Sequence, residues 1–254
     1  MCLVLVAWRA HPDYPLVVAA NRDEFFARPT AAASFWPDSD ILAGRDLKEG
    51  GTWMGITRGR RFAALTNFRA PERHRDGLAS RGRLVADFLA AKEEPMPWLQ
   101  ALASRTTEYN DFNLIVSDGE TLACLASITG DIRLLEPGVH GLSNHFLDTP
   151  WPKVQAAKSA LSDALVALPD DAPLLELLRD DSIHPDEALP RTGVSLEWER
   201  LLSAAFVRAP DYGTRSSTIL LIGADRTLTF DEQTWLEGGR PGGRARFRFR
   251  PAAS

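Results

Sequence analysis

MCLVLVAWRAHPDYPLVVAANRDEFF, residues 1–26, decides how this chain must fold. Residues 3–8 and 16–20 are apolar runs of strand length. The pentapeptide between them, His11-Pro12-Asp13-Tyr14-Pro15, is turn chemistry. The stretch therefore reads as a hairpin of buried strands. Four polar residues, Asn21-Arg22-Asp23-Glu24, then interrupt the apolar pattern ahead of Phe25-Phe26. In a hairpin whose first strand starts at Cys2, the second strand ends beside that cysteine. A carboxylate and a guanidinium are thereby expected next to the thiol, with a solvated turn holding an internal ion pair as the plainer alternative.

Working outward, residues 52–57 and 61–67 suggest a second hairpin around Arg58-Gly59-Arg60. Ser80 is placed to cap a helix carrying Leu84, Val85, Phe88 and Leu89 at helical spacing, with Pro95 ending it and Pro97 opening a short helix through Trp98, Leu99 and Leu102. Residues 112–117, 121–128 and 132–135 read as strands joined at Asp118-Gly119 and Gly130-Asp131. A helix is expected over 152–168, with Val154, Ala157, Leu161, Leu165 and Leu168 on one stripe. Further helical segments fit 172–180 and 195–207. Strands return at 217–222 and 227–231. Residues 238–243 read as a mobile loop, and Phe247 and Phe249 alternate with arginines as a last edge strand would. Regular strand–helix alternation is missing, which argues against a doubly wound parallel sheet and for antiparallel sheets with helices outside them.

Composition narrows the function classes. Of 254 residues, 29 are Lys or Arg and 34 Asp or Glu, a net charge of −5 that speaks against nucleic acid as the main partner. Two cysteines, Cys2 and Cys124, make neither a disulfide framework nor a four-thiolate zinc site. No apolar run has the length of a membrane span. The apolar start lacks basic residues before it and a cleavage site after it, so a signal peptide is rejected and a cytoplasmic location with a reduced Cys2 is expected. The five histidines, His11, His74, His140, His145 and His184, show no zinc-pair spacing, and no metal site is assigned. Gly44, Gly50, Gly51 and Gly55 lack the Gly-Lys-Ser/Thr ending of a nucleotide loop and read as turns between strands. Arg240, Arg244, Arg246, Arg248 and Arg250 offer a phosphate-binding segment or, more plainly, an edge strand kept soluble by charge.

Cys2 carries the sharpest chemistry. Removal of Met1 would leave a thiol and a free α-amine on one residue. That amine titrates near neutrality, so it can take the proton from its own side chain without a catalytic histidine. Asp23 would then orient the ammonium form and Arg22 lower the thiol pKa. The plainer reading is a small buried side chain at a strand start.

The run Ala19-Ala20-Asn21-Arg22-Asp23-Glu24-Phe25 resembles the signature of the NRDE-motif family, the transport and Golgi organisation protein 2 family. Met1-Cys2-Leu3 is similar too. So are Ala43-Gly44-Arg45-Asp46, Glu49-Gly50-Gly51-Thr52-Trp53-Met54-Gly55, Ala64-Leu65-Thr66-Asn67-Phe68-Arg69, Gly141-Leu142-Ser143-Asn144, Pro150-Trp151-Pro152-Lys153-Val154 and Tyr212-Gly213-Thr214-Arg215-Ser216-Ser217-Thr218. These blocks follow one another along almost the whole chain, which implies a single domain over residues 1–254. The family in turn resembles the N-terminal-nucleophile hydrolases of the penicillin V acylase and bile salt hydrolase branch. That likeness implies an α+β fold, a four-layer αββα sandwich of two antiparallel sheets.

The same likeness places Cys2 on the nucleophile, Arg22 on an arginine and Asp23 or Glu24 on a carboxylate of the branch. It places Asn67 on the asparagine after the second hairpin, Asn144 on the oxyanion-hole asparagine and Arg215 on a late arginine. It implies cleavage of a linear amide or thioester through an acyl-enzyme, with no cofactor required. The alternative is a carrier on the same fold. The family's link to haem and to acyl-coenzyme A metabolism implies haem or an acyl-coenzyme A as ligand, with His74, His140 or His145 as axial-ligand candidates. On that reading Phe25, Phe26, Trp53 and Phe68 line an apolar mouth and Asn21–Glu24 its rim. Neither reading fixes the oligomeric state.

Overall fold

The computed structural model describes residues 2–250. The strands are β1 (Cys2–Trp8), β2 (Leu16–Phe25), β3 (Thr30–Phe35), β4 (Ile41–Asp46), β5 (Met54–Thr57), β6 (Phe62–Asn67), β7 (Phe112–Ser117), β8 (Leu122–Ala126), β9 (Asp131–Leu134), β10 (Gly138–Leu142), β11 (Tyr212–Ile222), β12 (Leu228–Leu236) and β13 (Arg240–Phe249). The helices are α1 (Gly82–Ala90), α2 (Pro95–Ala103), α3 (Pro152–Leu165), α4 (Ala172–Leu177) and α5 (Leu196–Leu201). The fold is α+β, with two antiparallel sheets, as expected. The chain falls into two compact units.

The first unit comprises residues 2–27, Pro137–Ser143 and Leu147–Phe249. Its six-stranded sheet has the order β10-β1-β2-β11-β12-β13. Every residue of β1 is buried, which explains why its apolar run does not alternate. Leu3, Leu5 and Ala7 share a face with Val17, Ala19, Ile219 and Leu221, and that face packs on Val154, Ala157, Leu161 and Leu165 of α3 and Leu174 and Leu177 of α4. The second unit comprises Arg28–Glu136 and Asn144–Phe146. Its seven strands run in the order β3-β4-β5-β6-β7-β8-β9. Ala63, Leu65, Leu114, Val116, Ala123 and Leu125 pack there on Leu84, Val85 and Phe88 of α1 and Leu99 and Leu102 of α2.

Several boundaries differ from the sequence reading, each for an identifiable reason. Strand β2 does not stop at residue 20. It continues through Asn21-Arg22-Asp23-Glu24 to Phe25, because β1 pairs with it on one side and β11 on the other. The polar run is therefore strand and not a turn. Pro95 does not end a helix: α1 stops at Ala90, and Pro95 sits in the first turn of α2, where its missing N–H leaves no bond unmade. Ser80 makes no cap bond; the residue before α1 is Arg81. Helix α3 ends at Leu165, not 168, because Val166, Ala167 and Leu168 donate to carbonyls three residues back, closing into tighter turns.

The expected helix over 195–207 shrinks to α5. Ser195 caps it by accepting from Trp198 N–H at 3.3 Å. Beyond it, Phe206 N–H goes to Asp180 O and Val207 N–H to Thr214 Oγ1, not to helical carbonyls. Residues 238–243 are not a loop. Gly238 and Gly239 turn the chain with positive φ, and β13 starts at Arg240. β13 is an edge strand, as expected. Arg244 and Arg246 both bind the buried Asp231 carboxylate, and Arg246 also reaches Asp171 at 2.7 Å. Those two arginines are engaged by carboxylates of the fold. At Gly51 the side-chain position is blocked by backbone: a Cβ there would meet Gly82 C and O at 2.5 Å. Among the described residues, no helix is long and apolar enough to cross a membrane.

Candidate functional site

Cys2 opens β1 and pairs across the strands with Arg22 of β2, which in turn pairs with Ser216 of β11. Facing residues of paired strands share a side of the sheet. Thiol and guanidinium therefore lie on the face opposite α3. Cys2 is 8 % exposed. Its carbonyl accepts from Ser143 Oγ at 3.1 Å, and its sulfur from the Asp23 N–H. Burial pushes the Cys2 thiol above its ordinary pKa. The Asp23 charge adds to the rise, and Arg22 opposes it without prevailing. The expectation that Arg22 would lower the thiol pKa holds for its own contribution. Desolvation outweighs it.

Asp23 follows Arg22, so its side chain lies on the opposite face, toward α3. It is 2 % exposed. Thr214 Oγ1 donates to Asp23 Oδ1 at 2.7 Å, and Val207 N–H donates to Thr214 Oγ1 at 2.9 Å. The carboxylate thus ends a relay anchored in backbone. Burial pushes its pKa up, while Lys153, the Thr214 bond and Arg22 pull it down. Lys153 is itself 3 % exposed and donates to Leu202 O at 2.8 Å. The sequence reading missed this lysine. Its signal was present: Lys153 stands four residues before Ala157 on the apolar stripe of α3, a position where a cation needs a partner. A cavity of about 50 Å³ beside it, lined in part by Asp180 and His184, has room for a water or two and not for an acyl chain.

The other members of the polar run divide by face. Asn21 is fully buried. Its Nδ2 donates to Leu178 O at 2.7 Å and Ala205 O at 2.8 Å, and its Oδ1 accepts from Ser217 Oγ at 2.6 Å. Its amide ties the sheet to the segments after α4 and α5, so it does not rim a pocket as expected. Glu24 Oε1 accepts from Phe25 N–H at 2.9 Å, and Oε2 stands 3.6 Å from Arg22 Nη2. Phe25 is 51 % exposed, with its ring edge-on to Tyr212. Arg215 is the extra residue of a bulge in β11, between Thr214, which pairs with Asp23, and Ser216, which pairs with Arg22. Its Nη1 donates to Phe25 O at 2.9 Å and Phe26 O at 3.3 Å. Burial and then the Arg22 charge lower its pKa.

The second unit gathers the remaining candidates. Asn144 is fully buried, and its Nδ2 donates to the carbonyl of Asn67, at the end of β6, at 2.9 Å. Its own carbonyl accepts from Arg69 N–H at 2.8 Å. Asn113, which the sequence reading passed over, joins this cluster through Nδ2 to His145 O at 2.9 Å. The Phe68 ring lies 4.9 Å from the His145 ring and 5.1 Å from that of Phe146. Burial and then the Arg69 charge lower the His145 pKa. Trp53 is half-buried, just before β5. Of the other haem-ligand candidates, His74 is exposed near Asp76. His140, in the first unit, is bound through Nδ1 to Asp148 at 2.9 Å.

A chain with this N-terminal hairpin, a buried carboxylate behind its cysteine and these ordered polar blocks belongs to the Transport and Golgi organisation 2 family, whose profile matches residues 1–237. It is 38 % identical to a Transport and Golgi organization protein 2 homolog of Bos taurus over 93 % of this chain and 94 % of that one. It is 37 % identical to the Homo sapiens homolog over the same shares. Among solved structures it is similar to a mutant conjugated bile acid hydrolase from Clostridium perfringens. That match has 12 % identity over 97 % of this chain and 92 % of the other, with a TM-score of 0.46, a likeness with no bearing on the chemistry.

Proposed function

We propose that this protein is an N-terminal-nucleophile-type acyl-transferring enzyme in which Cys2, exposed by loss of Met1, cleaves a linear amide or thioester. The observation that carries the reading is the pairing of Cys2 with Arg22, with the Asp23 N–H on its sulfur and the Asp23 carboxylate fixed by Thr214. The thiol proton passes to the α-amine as Sγ adds to the substrate carbonyl. The C–N or C–S bond then breaks, and the leaving group takes that proton. Water hydrolyses the resulting thioester to a carboxylic acid and restores the thiol. Asp23 holds the ammonium form of the amine.

The test is incubation of the full chain with a panel of N-acyl amides and acyl thioesters, reading released product and the intact mass for a trapped acyl group. Turnover that disappears in Cys2→Ala supports the reading. Equal turnover in Cys2→Ala overturns it.

A carrier reading draws support from one observation. His145, whose pKa is lowered by burial and the Arg69 charge, is flanked by Phe68 and Phe146, an aromatic shelf of the kind haem packs on. Haem titration followed at the Soret band tests it. A saturable, stoichiometric change lost in His145→Ala supports the carrier, and its absence in the parent chain removes it.

A further inference from the structure

We propose that Asp148 is a positioning residue for Cys2: it latches the loop between β10 and α3, and that loop holds the Cys2 backbone through Ser143. The bearing on catalysis rests on the acyl-transfer reading; the latch itself rests on geometry.

The pairing of β1 with β10 stops at Val4 and Leu142. The Cys2 carbonyl, two residues further along β1, accepts instead from a side chain, Ser143 Oγ, at 3.1 Å. The strand end that carries the thiol is thus held, on its β10 side, by a serine outside the ladder. No helix or strand spans residues 143–151, so the place of Ser143 depends on what fixes the loop that it opens.

Asp148 closes that loop. Its N–H donates to Gly141 O at 2.8 Å, and Gly141 N–H donates back to Asp148 Oδ1 at 2.9 Å. Lys158 Nζ of α3 donates to the same oxygen at 2.6 Å, and His140 Nδ1 of β10 stands 2.9 Å from Oδ2. One residue therefore ties the loop to β10 by main chain and side chain, and to α3 by a charge-assisted bond. The backbone is shaped for this. Asp148 has a φ of 61°, a left-handed conformation that is uncommon outside glycine and that Asp tolerates. Gly141 lets α3 lie close against β10: a Cβ there would meet Val154 Cγ1 at 2.7 Å and Lys158 Cγ at 3.1 Å. An isolated exposed ion pair holds little. Here backbone, imidazole and ammonium donors from two elements converge on one carboxylate.

The test follows iodoacetamide alkylation of Cys2 and Cys124 by peptide mass, in the full chain, for the parent, Asp148→Gly, Ser143→Ala and the double variant. Glycine keeps the left-handed φ and removes only the side chain. Both cysteines are buried, and Cys124, in β8, registers any general loosening of the fold. The latch predicts a Cys2-to-Cys124 rate ratio about fivefold to tenfold above the parent in Asp148→Gly, the effect of one hydrogen bond's restraint on local opening. Ser143→Ala should raise the ratio by a similar factor. The double variant should go no further than either single one, because both act through one contact. Asp148→Asn, which keeps an acceptor for Gly141 N–H without the charge, should fall between parent and glycine. An unchanged or lowered ratio in Asp148→Gly, or factors that multiply in the double variant, overturns the latch and leaves Asp148 a purely stabilising residue.

Alkylation needs a thiol and no substrate, so the ratio decides the latch even if the chain turns nothing over and the acyl-transfer reading fails. If Cys2 resists the reagent in every variant, amide hydrogen exchange of residues 2–8 against that of β8 decides in its place. Faster relative exchange in both single variants supports the latch, and equal exchange overturns it.

Discussion

Replacing Asn21 with alanine should destabilise the protein by about 3–4 kcal/mol. The magnitude follows from what the amide touches. Both Nδ2 hydrogens are donated to carbonyls, those of Leu178 and Ala205, in a region that solvent does not reach. Alanine leaves both carbonyls without that donor, at about 1–3 kcal/mol for each buried group left unsatisfied. Ser217 loses its acceptor but can rotate, since its oxygen still accepts from Trp235 Nε1 at 2.9 Å. Asn21→Asp should cost at least as much, because an acceptor oxygen would then face two carbonyl oxygens. Asn21→Leu keeps the volume but not the donors and should resemble alanine. Urea denaturation of the three variants measures the effect at constant m-value. A loss under about 1 kcal/mol for alanine, or an aspartate variant as stable as the parent, would refute the assignment of Asn21 as a buried tie.

Asp148 gives a pH-dependent case. Partial burial alone would raise its carboxyl, yet bonds from His140, Lys158 and the Gly141 N–H hold it well below the usual range. A depressed carboxyl stabilises the fold above its unfolded pKa, and that contribution is lost as pH falls through the folded value. Asp148→Asn should therefore cost about 2 kcal/mol at pH 7, with the gap to the parent narrowing below about pH 4; a gap that does not narrow contradicts the assignment. Lys153→Met removes a cation that opposes the burial-driven rise of Asp23. Asp23 then meets its burial with less help, and only when ionised. The variant should lose about 3 kcal/mol at pH 8 and less at pH 4.5, as read by denaturation at both values. Equal losses would show that Lys153 acts through packing alone.

The hairpin of β1 and β2 was legible because two apolar runs and a turn leave few alternatives, and its closure predicted that Arg22 and Asp23 would lie near Cys2. The face each residue takes was not. Asn21 and Arg22 are adjacent and polar, yet one is sealed against the helices and the other faces the thiol side. Both faces of β2 are buried along Leu16–Asn21, so its apolar pattern does not separate them; the helices that cover one face come from far along the chain. The same distance hid Lys153 and Thr214 behind Asp23, and Leu178 and Ala205 behind Asn21. Strand β10 escaped because Gly138-Val139-His140-Gly141-Leu142 lacks a strand's apolar run and is held by pairing with β1. Helix ends failed where the last N–H groups found tertiary or three-residue partners, as after α3 and α5. The direction of the Cys2 shift failed because a sequence displays nearby charges but not the depth at which they are buried.

The account turns on whether Cys2 stands at the amino terminus with a reactive thiol. The most direct measurement is the intact mass of the native protein before and after brief treatment with iodoacetamide. The account predicts a chain lighter than the encoded one by one methionine residue, carrying one added group that maps to Cys2 and none at Cys124, although both cysteines are buried. A chain that keeps Met1, or a native Cys2 that resists the reagent as Cys124 does, would contradict it.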